Sequence, residues 1–266
     1  MVAPQAPLVL AADADRVRLT VSPDDGGRVT SFVVDGHELI VTEGFGPIRW
    51  GSYVMAPYAG RIRDGRFTFR GRDVELPINL PPHAIHGTVF VRPWTVTGPD
   101  SMAVDLGAEW PFAGRVAQRF VLGPDTLTFE LELTAEEAMP VTVGWHPWFR
   151  RAVAGAPIEL SFEPGSMYER GADGLPTGRL VTPKPRPWDD CFVEVSPAPR
   201  VSWPGILALE LTSTADHWVV YDESDDGVCV EPQTGPPDAV NLGGAGVVEV
   251  GATLRASMSW RWWRPG

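Results

Sequence analysis

The stretch Val141 to Ala152, VTVGWHPWFRRA, holds one histidine, His146, between Trp145 and Trp148. An imidazole ordinarily titrates nearest neutrality, so it can both give and take a proton under working conditions. Pyranose rings stack their apolar faces on indoles, and concave aromatic pockets with a few polar groups are the usual form of a small-molecule site, which makes Trp148 a candidate wall for a sugar. A second proton-moving group is Glu231, in GVCVEPQTGPPDAVN, where the alternating run Val228 to Val230 meets a proline. Pro147 is expected to halt ladder pairing just after His146, and Glu231 to be displayed where its strand stops. From type and spacing alone, a satisfied core histidine and a solvated strand-end glutamate are the commoner explanations of these residues.

Two further segments can supply polar groups. His86 stands in NLPPHAIHGTVFVRPW, where paired prolines and Gly87 fix an irregular loop of the kind on which sites are built. Arg61, in YVMAPYAGRIRDGRF, occupies a turn between apolar runs, and its planar guanidinium could donate a forked pair of hydrogen bonds to vicinal hydroxyls. Its neighbours Arg63, Arg66, Arg70 and Arg72 show that an arginine here can equally be ordinary surface. His37, in the turn VDGHE, reads as solvated, and His217 as a surface or interstrand residue.

The elements that must position these groups are strands. DTLTFELELTA alternates Leu127, Phe129, Leu131 and Leu133 with Thr126, Thr128, Glu130 and Glu132, the period of a half-buried antiparallel strand. GATLRASMSWRWW repeats the pattern with Leu254, Ala256, Met258, Trp260 and Trp262. Other strands are expected at Val17 to Val21, Arg28 to Val34, Arg66 to Phe69, Trp94 to Thr97, Ala117 to Leu122, Val141 to Trp145, Ile158 to Phe162, Leu207 to Thr212 and His217 to Tyr221. Turn signals such as PDDGG, VDGHE and RDGR separate them, and helical periodicity is nearly absent. The expectation is one all-β domain over residues 1–266, a large antiparallel sandwich or barrel.

Composition narrows the function. A net charge of −12 repels nucleic acid and anionic membrane surfaces, so neither is an expected partner. No basic leader and no long apolar run is visible, which suggests a cytoplasmic protein. Cys191 and Cys229 lack a CxxC or a nearby histidine pair, which argues against zinc; both read as buried small side chains. The only lysine, Lys184, lies in the proline-broken TPKPRP, a poor place for imine chemistry. DESDDGVCVE has early calcium-loop spacing but Gln233 at position twelve, so it reads as an acidic surface hairpin.

Taken in order, AGRIRDGRF, RDVELPINLPPHAIHG, VTVGWHPWF, WDDCFV and VCVEPQTGPPDAVN resemble the aldose 1-epimerase (galactose mutarotase) family, as a divergent member. The resemblance covers about Val54 to Asn241. It implies a large antiparallel β-sandwich with little helix, no metal and no cofactor, a monosaccharide as the partner, and interconversion of the α and β anomers of a free aldose. It places the general acid on His146, the general base on Glu231, a second pocket histidine on His86, the sugar-binding arginine on Arg61 and a hydroxyl-binding aspartate on Asp189, with Asp190 as a rival. Where the family carries asparagine before the arginine, this chain has Gly60.

Opening a hemiacetal ring takes a proton from the anomeric hydroxyl and gives one to the ring oxygen, so an acid and a base are expected about a monosaccharide's width apart. Burial among aromatics lowers a histidine pKa and a neighbouring carboxylate raises it; the carboxylate is expected to prevail and keep His146 charged. Alternatives are a hexose-6-phosphate 1-epimerase, using Arg61, Arg63, Arg66 and Arg150 for the phosphate, and a non-catalytic sugar-binding module on the same fold. A glycoside hydrolase pairing Asp189 with Glu231 has no sequence sign of a polysaccharide groove. The expected assembly is a monomer or homodimer.

Overall fold

The alternating apolar residues of the sequence close into two stacked antiparallel sheets in a computed structural model that describes residues 4–265. One sheet has 11 strands and the other eight; helix is confined to Ala239–Leu242 and two short 3-10 turns. None of the helices among the described residues is long and apolar enough to cross a membrane.

The eight-stranded sheet contributes the clearest alternation. In Thr126–Ala135, Leu127, Phe129, Leu131 and Leu133 are buried while Glu130 and Glu132 are exposed, and the strand pairs along its length with Thr253–Trp263. Trp260 packs against Phe129, Phe149 and Phe32, tying the two sheets through one indole. The expected strands are present with small shifts of their ends, but Val141 to Trp145 is divided: Met139–Val141 belongs to a separate two-stranded ribbon and a new strand begins at Gly144.

The large sheet carries the site. Its central neighbours run, in spatial order, Arg28–Val34, Ser52–Met55, Gly144–Arg150, Gly227–Gln233, His217–Tyr221, Asp189–Val195 and Pro164–Arg170. Because side chains alternate, Val54, Trp145, Phe149, Val220, Val228 and Val230 enter the core between the sheets. Tyr53, His146, Trp148, Cys229, Glu231, Gln233 and Tyr221 therefore share the opposite face.

Two proline expectations are overturned. The strand of His146 continues through Pro147 to Arg150, and that of Glu231 through Pro232 to Gln233. Proline removes one donor but leaves the carbonyl and an extended φ, so a strand held by neighbours on both sides survives it. The effect is local: pairing between these two strands is recorded at Gly144 with Gln233 and again at Trp148 with Cys229, skipping the residues around His146. Asp222 and Ser224 also depart from an acidic surface hairpin; both are buried, with Asp222 accepting from the Trp188 backbone N–H at 2.6 Å and from Arg186.

Candidate active site

His146 lies opposite Tyr53 on one neighbouring strand, and the register on the other side brings Glu231 alongside it. Its Nε2 is 3.3 Å from Glu231 Oε1, and both side chains are almost wholly buried at the bottom of a cavity of about 730 Å³. The expected separation of a monosaccharide's width is thus replaced by direct contact. This suits the chemistry, since the anomeric and ring oxygens of an aldose are bonded to the same carbon and need donor and acceptor side by side.

The imidazole is held between rings. Tyr53 stacks on it at 4.9 Å between centroids, Trp148 on its other side at 5.7 Å, and His86 meets it edge-on at 4.8 Å. Trp148 donates from Nε1 to the Ile48 carbonyl at 2.8 Å and is 2% exposed. Its indole face is therefore spent on His146, leaving little surface for a sugar. Gln233 donates to Glu231 Oε2 at 3.2 Å, fixing the carboxyl so that Oε1 is turned to the histidine.

Electrostatics reverse the expected charge state. Burial, then the cations Arg28 and Arg61, push the His146 pKa down to about 3. Burial, with the nearby Asp189 charge, pushes that of Glu231 well above the carboxylate range. Both shifts run against charge on these groups and so disfavour the expected ion pair.

Arg61 and His86 reach the site from a small ribbon. Arg61 is on the short strand Arg61–Ile62 rather than in a turn, and it pairs with Ile85, the residue before His86. The Asp238 backbone N–H donates to the Arg61 carbonyl at 2.6 Å, and the buried Asp238 carboxylate accepts from Arg63 and Asn241. His86 takes a left-handed conformation, φ 63°; its N–H donates to the Gly60 carbonyl at 2.8 Å and its Nδ1 meets the Tyr53 hydroxyl at 2.9 Å. Burial, any charge on the adjoining His146 ring and the cation Arg61 hold its pKa well below the usual value, so it is a neutral hydrogen-bonding group. Gly87 follows at φ 76°, and a Cβ there would lie 1.9 Å from the Ala56 carbonyl oxygen. Gly87→Ala should accordingly cost at least about 2 kcal/mol in denaturant unfolding, through backbone collision and strain together.

Asp189 shares the cavity face with Cys191 and Tyr221 and is paired with Arg170 at 2.6 Å. Asp190 is buried against Lys184 at 2.8 Å. Alternation therefore turns Asp189 rather than its rival toward Glu231. Of the arginines proposed for a phosphate, Arg61 alone lines the cavity; Arg63 is committed to Asp173 and Asp238, and Arg66 to Glu75. Arg49, Arg170, Tyr168 and the 91% exposed Phe45 line it too, none of them singled out by the sequence. Gly60, at φ 62°, leaves no gap for the asparagine of the family, because a Cβ would lie 2.8 Å from the ring carbons of Pro237.

One candidate metal cluster occurs among the described residues: donor atoms of His146, Cys229 and Glu231 lie within 4.8 Å of one another. The spacing argument against such a grouping thus fails in space. The Cys229 thiol is pushed well above its usual range by burial and by Glu231, so a metal would have to displace its proton to bind there.

Sandwich topology and cavity together define the galactose mutarotase-like class of fold. A candidate aldose 1-epimerase from Escherichia coli K12 superposes with a TM-score of 0.84 at 22% identity, covering 98% of this chain and 99% of that one. A galactose mutarotase-like protein from Clostridium acetobutylicum gives 0.82 at 16%, covering 94% and 93%. A galactose mutarotase from Mus musculus is 29% identical over 113 residues, 39% of this chain and 33% of that one. The chain spans about a third of the length of the curated relatives it matches. The aldose 1-epimerase family model matches residues 9–261, and the chain belongs to that family.

Proposed function

We propose that the protein interconverts the α and β anomers of a free aldose, with His146 and Glu231 acting as a pair that shares one proton. The observation that carries this reading is their 3.3 Å contact on the floor of a cavity also lined by Arg61 and His86. As the sugar seats, the proton passes from Glu231 to His146. Glu231 then takes the proton of the C1 hydroxyl while His146 gives its own to the ring oxygen, and the bond from C1 to that oxygen breaks. The aldehyde turns about C1 to C2, and the reverse transfers close the other face. The pair's proton count is the same before and after. Arg61 and Asp189 bind hydroxyls, and His86 orients the sugar as a neutral partner.

The reading is tested by polarimetry with freshly dissolved single anomers of several aldoses. Faster approach to equilibrium is expected for at least one. A sugar that binds without acceleration would make the chain a binding module. The 6-phosphate remains a second substrate to compare, because the exposed Arg49 at the cavity is joined to no described residue by an ion pair.

A pH profile tests the shared proton. Below about pH 3 His146 gains a second proton and the base is lost; well above the ordinary carboxylate range Glu231 loses the only proton and the acid is lost. kcat/KM should therefore rise through the acid limb, stay level across the carboxylate range, and fall only on the alkaline side. A midpoint between pH 4 and 5, the range of a free carboxylate, would contradict the pair.

A further inference from the structure

Arg28 opens the strand Arg28–Val34, in the turn sequence DDGGRV, yet it is 1% exposed. Among the described residues no carboxylate forms an ion pair with it, and the Asp25 carboxylate acts on it only at longer range. Its guanidinium donates to the backbone carbonyls of Trp50, Pro47 and Asp25, and it lies over the rings of Trp50 at 4.5 Å and Tyr53 at 4.3 Å from their centroids. Gly51 makes room for it: at φ 70°, a Cβ there would lie 2.8 Å from the Arg28 side chain. Tyr53 in turn stacks on His146 and meets His86 through its hydroxyl. Cation, tyrosine, imidazole and the Trp148 indole thus form one continuous column beneath the cavity.

We infer that Arg28 is a positioning residue for the proton-transfer pair, holding Tyr53 against the His146 ring and, by its buried charge, opposing a second positive charge on that ring. A surface arginine would be screened, whereas this one is buried and acts through a single intervening ring, where its charge is still felt. The other titratable groups facing His146 are Tyr53 from the strand before it, Glu231 and Cys229 from the strand after, His86 and Arg61 from the small ribbon, and Asp189 beyond Glu231. Among these Arg61 is the only other cation, and it is partly exposed, so Arg28 is the fixed positive charge of the site. Burial lowers the Arg28 pKa only to about 10, which leaves it charged through neutral pH.

The inference rests on the epimerase reading for its significance, and its test does not need turnover. The His146 ring resonance, identified by its loss in His146→Asn, is titrated by NMR in wild type, Arg28→Gln and Arg28→Lys. Arg28→Gln should move the midpoint upward by about one pH unit, and Arg28→Lys, charged in acid, should return it toward wild type. The acid limb of kcat/KM should follow. Equal midpoints in wild type and Arg28→Gln overturn the inference, as does an equal shift in both variants, which would mean packing alone. Should Arg28→Gln fail to fold, Arg28→Lys decides: a buried lysine loses its proton more readily than arginine, so the resonance should show a second step where the lysine titrates. Absence of any response of the His146 resonance at the pH where the lysine's own side-chain signals titrate then overturns it. Absence of turnover in wild type would instead refute the epimerase reading.

Discussion

Glu231→Gln should lower the mutarotation rate by about 10²- to 10⁴-fold, the usual contribution of one positioned acid or base. Few substitutions isolate chemistry so well here. The resting carboxyl is buried and holds its proton, so a neutral amide of the same shape occupies a site already built for an uncharged group. The thermal midpoint should stay close to that of wild type, and so should sugar affinity measured by calorimetry. What is lost is the ability to accept the proton of the anomeric hydroxyl. A variant with near-wild-type rates by polarimetry would remove Glu231 from the mechanism.

His146→Asn is the second large effect, also about 10²- to 10⁴-fold in rate. The shorter amide leaves the Tyr53 and Trp148 rings without their central partner, so some loss of stability accompanies it. The sharper measurement is the double variant with Glu231→Gln. Two groups that exchange one proton act as a unit, and removal of both should cost little more than removal of either. Strictly multiplicative losses would show that the two act independently.

Much of the architecture could be read directly from the chain. Leu127, Phe129, Leu131 and Leu133 announce a buried face because a strand repeats every two residues, whereas which of Trp145 and His146 faces the core is seen only in the packed sheets. The clustering of His146, Glu231, Arg61, His86 and Asp189 required the resemblance, since nothing within a strand states which strand lies beside it. Tyr53 shows the limit: it is an unremarked residue in GSYVMAPY until the register sets it opposite His146. Arg28 was hidden for a different reason. A cation after two glycines has the local signature of a solvated turn, and only the carbonyls of a distant loop explain its burial. Prolines misled in the opposite sense, because the rule that they end strands assumes a ladder on each side, whereas Pro147 continues to follow the Ser52–Met55 strand.

The meeting of Gly60 with the Pro237 ring bears on how the cavity wall beside Arg61 could be redesigned. An asparagine installed at Gly60 alone would tolerate the left-handed backbone but collide with the pyrrolidine, and trimming Pro237 alone would open a hollow without furnishing an amide. The two positions are therefore coupled: a side chain can be seated beside Arg61 only when the Pro237 ring is replaced with it.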